Sequence, residues 1–416
     1  MPNYLIMAGN SAGTNITASR YCQPIGVLYN HPTEAIMQVL ARDSYTLSNL
    51  YVYVPSNTRD ATTVIKSRKQ TPPGAAADGN QSVSILATAT GGFEDTLNTD
   101  SLVDSDLFCG LVEITSGAGT IKLSIFSYIL VTVSNTTPIL LLNSSWGQAK
   151  VLTRWYPIIG RAVEGTATEA NTYYTFRSAS TLSNLRCYVS SNGVTATSTL
   201  RTRINEGNGS QAISIGSTLT GAFEDTTHSD SISVGQNVNY QLATGATGTS
   251  IIIDAIQVKS TSDGRQTGIA SPAATTLAFD LTRYATIEGN SQAFNATEAN
   301  VQATARTAFT AANMYVNIST NSLNGATSFN LRKDTGNSTL MVSVGATATG
   351  QFEDLAHTDS YVAASLINWM VDTTASSSGT IVINCIGFEL QQPLVAPVVG
   401  SKTANMAAKM IAAGFI

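Results

Sequence analysis

The chain has little charge and few of the residues that most often perform catalysis. Of its 416 residues, 22 are Lys or Arg, 27 are Asp or Glu and only 3 are His. The basic residues form no block, so binding to nucleic acid through its phosphates is not expected. The sequence also lacks the motifs of serine hydrolases, zinc proteases, phosphate-binding loops and dinucleotide-binding folds. We therefore expect a protein that is not an enzyme and has no nucleic-acid partner.

Cysteines and long apolar runs are scarce as well. The 4 cysteines show no CxxC spacing, which argues against a disulfide framework and against metal thiolates. No stretch approaches the roughly 20 apolar residues that a membrane helix needs. Residues 1–7 lack the basic and apolar regions of a signal peptide. We expect no membrane association, no cofactor and no secretion signal.

A nine-residue stretch that begins with Phe-Glu-Asp and ends with Asp-Ser occurs three times. Its copies begin 130 and 129 residues apart, at Phe93, Phe223 and Phe352. A period of this length is far above the roughly 20–50 residues of a solenoid repeat, so each copy marks a whole domain. Each copy follows a Gly-containing turn and precedes an alternating apolar run, as a loop between two strands does. The sequence predicts one domain that is present three times.

Other landmarks recur in the same order and set the domain boundaries. An Arg-aromatic pair precedes each copy of the stretch. A Thr-Glu-Ala triplet and a strand-like segment after an Asn lie between the pair and the stretch. The distance from that Asn to the Phe is 44 residues in the first copy and 39 in the second. We expect the extra residues near a turn at 71–74. The chain is predicted to form three repeats and a tail, over residues 1–135, 136–264, 265–392 and 393–416.

Short alternating segments separated by Gly, Ser and Asn turns fill each repeat. In the second copy, Val238, Tyr240 and Leu242 alternate with polar residues, as in a strand with one buried face. Each repeat closes on a strong strand pattern, over residues 121–131, 250–258 and 380–390. Many short strands of this kind are typical of sandwiches. The predicted fold class is all-β, with three tandem antiparallel β-sandwich domains of jelly-roll type and a short C-terminal tail.

The repeated stretch is the first candidate site. It places a Phe and two Asp residues at fixed spacing in each copy, at Phe93, Asp95, Asp100, Phe223, Asp225, Asp230, Phe352, Asp354 and Asp359. Carboxylates are the hard oxygen ligands that Ca²⁺ prefers, so one interpretation is a cation site in a loop. The other, which we favour, is that the carboxylates hydrogen-bond the backbone of the loop while each Phe is buried and anchors the loop to the core.

The Arg-aromatic pair is the second candidate site. Its arginines either stack on a sugar ring or pair with a repeated carboxylate or backbone carbonyls of their own domain, and we favour the pairing for Arg20, Arg154 and Arg283. His228 and His357 share one repeat position with Asn98, which indicates a polar loop group rather than a general base. We predict no catalytic residue, no bound metal and no cofactor.

The tail over residues 393–416 has no counterpart in the repeats. Its prolines favour an extended first half, and Met406 and Met410 then fall on one face of a short helix. The chain ends in two large apolar residues, Phe415 and Ile416. One interpretation is that the tail covers the third domain. The other, which we favour, is that it docks on another copy of the chain or on another protein of the same assembly.

A Ser-, Thr-, Gly- and Ala-rich series of β-domains with this recurring Phe-Glu-Asp stretch resembles the tandem β-sandwich proteins of tailed-phage virions. Capsid decoration, tail and fibre subunits belong to this class, and the resemblance covers residues 1–392 without singling out one family. It implies a structural virion protein, assembled in the host cytoplasm, whose partners are other virion proteins and copies of itself. The alternative is a carbohydrate-binding or adhesion protein that recognises a cell-surface glycan.

Overall fold

The computed structural model describes the chain over residues 3–24, 30–132, 139–144, 147–161, 165–262, 269–270, 275–287, 294–305 and 308–391. Strands account for 65% of the structure and helices for 3%, which confirms the predicted all-β class. None of the helices within these ranges has the length and apolar character of a membrane-spanning segment.

Residues 3–132 form two sheets and are called unit 1. Its elements are β1 (Asn3–Ile16), β2 (Arg20–Cys22), β3 (Asn30–His31), α1 (Glu34–Met37), β4 (Val39–Leu40), β5 (Tyr45–Val54), β6 (Ser56–Asn57), β7 (Thr63–Gln70), β8 (Ala77–Ile85), β9 (Gly91–Leu102), β10 (Leu107–Glu113) and β11 (Ile121–Thr132). One sheet has the strand order β1-β11-β5-β9, with β6 beside β11. The other has the order β3-β2-β10-β7-β8, with β4 beside β10.

Residues 139–262 form the next two sheets and are called unit 2. Its strands are β12 (Ile139–Ser144), β13 (Gly147–Ala149), β14 (Thr153–Pro157), β15 (Gly160–Arg161), β16 (Tyr174–Thr175), β17 (Ser180–Val194), β18 (Ser198–Ile204), β19 (Gly207–Ile215), β20 (Gly221–Ile232), β21 (Asn237–Ala243) and β22 (Gly248–Ser262). A 3₁₀ helix covers Glu169–Thr172. The sheets have the orders β15-β12-β22-β17-β20, with β13 beside β22, and β14-β21-β18-β19, with β16 beside β21.

Residues 269–391 form the last two sheets and are called unit 3. Its strands are β23 (Ile269–Ala270), β24 (Thr275–Ala278), β25 (Thr282–Ala285), β26 (Ala303–Thr304), β27 (Phe309–Asn321), β28 (Thr327–Lys333), β29 (Gly336–Val344), β30 (Gly350–Tyr361), β31 (Leu366–Asp372) and β32 (Thr380–Gln391). A 3₁₀ helix covers Glu298–Asn300. The sheets have the orders β23-β32-β27-β30, with β24 beside β32, and β25-β31-β28-β29, with β26 beside β31.

Alternation along each strand places one face of each sheet in a core. In β5, Leu47, Val52 and Val54 are buried while the residues beside them are only half-buried. The two sheets of each unit share one hydrophobic cluster. The described pairings are antiparallel except for the short contact between β12 and β15. The division into three copies of one domain, with boundaries at residues 135 and 264, stays a prediction.

One hairpin distinguishes unit 1 from the other two units. In units 2 and 3, two residues with positive φ join the strands, Asn205 and Glu206 in one and Asp334 and Thr335 in the other. That is the turn geometry that suits the twist of a tight hairpin. In unit 1, β7 ends at Gln70 and β8 begins at Ala77, so a longer loop that includes residues 71–74 replaces the turn.

Candidate functional site

The repeated stretch lies within a strand, so the prediction of a loop was wrong. The three copies form most of β9, β20 and β30, which are edge strands of their sheets. A bulge interrupts each strand: in β9, three residues from 96 to 98 lie opposite the single residue Asn49 of β5. Asn49 has a φ of 54°, and Asn184 and Asn313 have φ values of 55° and 52° at the corresponding bulges. Asn tolerates this left-handed conformation better than most residues, which explains why Asn recurs there.

The first Asp of the stretch holds the bulge in place. In unit 1, the Asp95 carboxylate accepts hydrogen bonds from the backbone N–H groups of Leu97 at 3.1 Å and Asn98 at 3.0 Å. It also accepts one from the backbone N–H of Ser82 on β8 at 2.8 Å, so it ties the edges of the two sheets together. Asp225 and Asp354 accept three backbone hydrogen bonds in the same pattern. These contacts occupy the carboxylate oxygens with backbone donors.

The Asn-to-His exchange in the stretch follows from these carboxylates. Asn98 donates its side-chain N–H to Asp95 at 3.0 Å, and the His228 and His357 rings place Nδ1 2.9 Å from Asp225 and Asp354. Either side chain supplies a donor at the same place. Burial raises the pKa of the three Asp side chains, but the hydrogen bonds outweigh it and hold each pKa below its ordinary value. The carboxylates therefore stay ionised and bonded at neutral pH.

The second Asp of the stretch connects the two sheets of a unit, and it is buried in units 1 and 2. In unit 2, Asp230 on β20 accepts hydrogen bonds from the Thr202 hydroxyl on β18 at 2.6 Å and from the Ser210 backbone N–H on β19 at 2.6 Å. The Gln211 side chain donates to it at 3.1 Å and accepts from the backbone N–H of Leu185 at 2.9 Å. Asp100 has the same kinds of partner in unit 1, and Asp359 accepts from two backbone N–H groups in unit 3.

The repeated Phe residues occupy corresponding places and pack on the cores, as predicted, but each is half-buried rather than buried. Phe93, Phe223 and Phe352 lie opposite Val52, Cys187 and Val316 in the strand register. Each packs against the hydrophobic cluster of its own unit from the edge. An edge strand leaves one side of such a ring in contact with solvent.

Of the two kinds of partner expected for the arginines of the Arg-aromatic pairs, the structure shows a backbone carbonyl and not a repeated carboxylate. Each donates from Nη1 to the carbonyl of the residue before it, at 3.0 Å for Arg20 and Arg154 and 2.9 Å for Arg283. Within the described residues, none of the three forms an ion pair with Asp or Glu. Each arginine lies at the start of its strand, as the first residue of β2 or the second residue of β14 or β25, next to the carbonyl that it bonds.

Other arginines, which sequence reasoning missed, pair with the Glu of the Thr-Glu-Ala triplets. Arg68, Arg203 and Arg332 bond Glu34, Glu169 and Glu298 through both carboxylate oxygens at 2.8–3.1 Å. Both partners are mostly buried, so these bidentate pairs hold the short helical segments onto the sheets. The signal was present in the sequence, since Arg follows the triplet Glu by 34 residues in all three units.

Each unit contacts both others through the same faces. Tyr188 of unit 2 packs on Ile36 and Met37 of α1 in unit 1. Tyr315 and Cys385 of unit 3 join the core cluster of unit 2. Ile125 of unit 1 joins the core cluster of unit 3, and Tyr51 and Tyr53 pack against it. In units 2 and 3, the face that carries β17 or β27 thus contacts the preceding unit. In unit 1, the face that carries β5 contacts unit 3, which closes a head-to-tail arrangement.

Polar contacts accompany this packing at two of the junctions. Between units 1 and 2, the Gln257 side chain donates to the Leu40 carbonyl at 2.6 Å and accepts from the Leu40 N–H at 3.2 Å, and Arg42 forms an ion pair with Glu224. Between units 2 and 3, the corresponding pair is Arg177 with Glu353 at 2.8 Å. These cross-junction pairs were also missed, because the partners lie about 180 residues apart in sequence.

Two further features bear on chemistry. Cys22, Cys109, Cys187 and Cys385 are free and buried, and burial raises the pKa of Cys22, Cys187 and Cys385 to about 12. In the described part of the chain, no group of three His, Cys, Asp or Glu side chains is placed to share a metal ion. A polar cleft of about 670 Å³ lies beside the longer hairpin of unit 1, lined by Lys69, Thr71, Asp78, Asn80, Thr99 and Asp100 among others.

The tail residues Met406, Met410, Phe415 and Ile416 lie outside the described residues.

Comparisons with known proteins place the chain in no family. No family model matches it, and no curated protein matches it. Among solved structures, it is similar to a triple jelly roll turret protein of an archaeal virus, with 12% identity over 93% of this chain and 91% of the other and a TM-score of 0.18. An insecticidal delta-endotoxin of Bacillus thuringiensis has 8% identity over 59% of each chain and a TM-score of 0.17. A structure of infectious bursal disease virus has 8% identity over 99% and 88% and a TM-score of 0.18. TM-scores this low carry no conclusion about the present chain.

Proposed function

We propose that this protein is a non-enzymatic structural protein of a virus particle that acts through protein–protein assembly. The observation that supports the proposal best is the closed head-to-tail packing of the three units. The ion pairs and aromatic rings at the junctions give the chain a fixed shape, because buried contacts of this kind oppose independent movement of the units. A block of fixed shape is what a shell or fibre requires of its subunits.

The bulges offer contacts for neighbours in such an assembly. Leu97 is 91% exposed in the bulge of β9, and Leu355 is 62% exposed in the bulge of β30. The neighbouring turns add Val103 and Val362, which are 49% and 62% exposed. Apolar side chains in contact with water at these protruding points are suited to burial against another protein.

The finer proposal is that the particle is a tailed phage and that the protein is a capsid decoration, tail or fibre component. It rests on the resemblance of the repeats to sandwiches of such virions and on the single C-terminal tail. We propose that residues 393–416 bind other virion proteins or other copies of the chain. The virion is then the location of the protein.

The proposal can be tested on purified particles. We expect the chain at a fixed copy number per particle by quantitative mass spectrometry, and at a defined position by electron microscopy. Deletion of residues 393–416 should leave thermal unfolding unchanged and abolish incorporation. Absence of the chain from purified particles would refute the virion role, whereas incorporation of the truncated chain would refute only the role of the tail.

The alternative function is recognition of a cell-surface glycan. The observation that favours it is the polar cleft of unit 1, whose Asp, Asn, Thr and Lys side chains suit a sugar with many hydroxyl groups. A glycan-array screen of the purified chain, with Asn80→Ala as the cleft variant, separates the two functions. Binding to a glycan that Asn80→Ala abolishes would establish the alternative.

A further inference from the structure

The junction between units 1 and 2 contains one buried positive charge more than the junction between units 2 and 3. Arg42 and Arg177 occupy corresponding positions, as do their partners Glu224 and Glu353. The residue opposite the Glu of each pair in the strand register differs between the junctions. It is Arg186 in unit 2 and Tyr315 in unit 3. At the second junction, Arg177 lies 4.6 Å from the centre of the Tyr315 ring. A neutral ring stabilises that arginine, whereas a second arginine repels it.

Arg186 is directed at unit 1 and is almost fully buried there. It alternates on β17 with Leu185 and Cys187, which belong to the core of unit 2, and therefore lies on the same face as Tyr188, which packs on unit 1. Only 7% of Arg186 is exposed. Its Cα partner across the strand pair is Glu224, the residue with which Arg42 forms an ion pair.

Glu224 forms an ion pair with Arg42 and lies opposite Arg186 in the strand register. Arg186 forms no ion pair with any residue that the structure describes. The Nε atoms of Arg42 and Arg177 are both buried without a hydrogen-bond partner, so the two junctions differ in Arg186 and not in this atom. Glu224 is the carboxylate that acts most strongly on Arg186, and burial together with the Arg42 charge lowers the pKa of Arg186. A buried guanidinium without a counter-charge is costly, since its lost hydration is not replaced.

Asp254, a buried carboxylate of this junction, does not balance the charge. Asp254 is 6% exposed, and burial raises its pKa while Ser190 and His31 act on it in the opposite direction. Neither arginine is among the groups that shift its pKa. Asp254 thus belongs to a separate polar group in the same junction.

We propose that the junction between units 1 and 2 binds one small inorganic anion, such as phosphate or chloride, between the guanidinium groups of Arg42 and Arg186. The anion supplies the second negative charge and accepts the hydrogen bonds that Glu224 leaves unmade. The corresponding positions at the second junction hold Tyr315 in place of the second arginine, so we expect one anion per chain rather than one per junction. This inference concerns the folded chain and does not depend on a place in a virus particle.

Thermal unfolding in different anions tests the site. At constant ionic strength, the wild-type chain should unfold at a temperature about 2–4 °C higher in phosphate or chloride than in gluconate, a larger organic anion that serves as the reference. Arg186→Tyr, which installs the residue found at the same position in unit 3, should remove this difference. Lys150→Gln, which removes an exposed charge elsewhere, should retain it.

Titration calorimetry of the wild-type chain with phosphate gives an answer that does not rely on a variant. A stoichiometry near one per chain supports the site. No heat of binding together with equal unfolding temperatures in the three anions would overturn it. So would an anion effect in Arg186→Tyr as large as that in the wild-type chain.

Discussion

Arg177 contacts a carboxylate and an aromatic ring at one junction, whereas at the other the carboxylate that pairs with Arg42 lies opposite a second arginine. Both junctions use the same faces and the same Arg-Glu positions, and each has a hydrogen bond from a side-chain amide to a backbone carbonyl of the neighbouring unit. The relative placement of two units therefore depends on the faces and backbone positions that both junctions share. The charge balance of a junction depends on one side chain at position 186 or 315.

The largest effect is expected when the ring at the second junction is removed. Tyr315 is fully buried, packs edge-on against Tyr174 at 6.3 Å and covers Arg177. Tyr315→Ala should therefore lower the stability by about 3–5 kcal/mol, as other buried aromatic truncations do. Differential scanning calorimetry measures the loss. Tyr188→Ala, at a half-buried ring of the first junction, is the matched control and should cost clearly less; equal losses would contradict the comparison.

The next largest effect is expected when the carboxylate of each junction is removed, because the two junctions differ in their buried positive charge. Glu224→Gln leaves two buried arginines without a carboxylate, whereas Glu353→Gln leaves one arginine that still contacts a ring. We expect losses of about 2–3 kcal/mol for the first variant and about 1 kcal/mol for the second. Parallel urea titrations in gluconate buffer measure both values. A loss for Glu353→Gln that equals or exceeds the other would show that the two junctions are electrostatically alike.

Acid should weaken the second junction through Glu353. Burial raises the pKa of this carboxyl, but hydrogen bonds from Arg177 and Gln351 outweigh it and lower the pKa below its ordinary value. A lowered folded-state pKa gives stability that is present above the unfolded pKa of about 4.3 and is lost as the pH falls below it. Between pH 5.5 and 3, wild type should lose more stability than Arg177→Met, which lacks the pair. If the free energy of unfolding of the two proteins falls equally between these pH values, the contribution of Glu353 is ruled out.

The smallest effect is expected where the units differ by one sulfur atom. Cys385 is 3% exposed at the second junction, and its thiol lies 3.6 Å from the Tyr315 hydroxyl. Unit 2 has Ala255 at the corresponding position of β22, where it is 6% exposed. Cys385→Ala should lower the stability by about 1 kcal/mol or less, as the loss of one small apolar group does. If calorimetry shows that Cys385→Ala loses as much stability as Tyr315→Ala, the Tyr315 ring is not the main source of stability at this junction.

The fold class could be predicted because strands and turns leave local patterns. The strand over residues 121–131 is visible as a β-branched and aromatic run, and the structure extends it by one residue, to Thr132. It was harder to predict that the repeated stretch belongs to a strand, since residues 96 to 99 are all exposed and resemble a loop. They belong to a strand because β5 pairs with them on both sides of the bulge. Pairing is a property of two segments, and one segment does not reveal it.

The sequence by itself determined the all-β class and the positions that recur, because alternation, turn residues and repetition are all local or periodic. Only the tertiary structure decided which partner each recurring group has. Arg68 pairs with Glu34 while Arg20 bonds the carbonyl beside it, and Glu224 is bound by Arg42 of another unit. Such pairs depend on which sheet faces meet after folding. Distance in space, and not distance along the chain, sets the strength of a hydrogen bond or an ion pair.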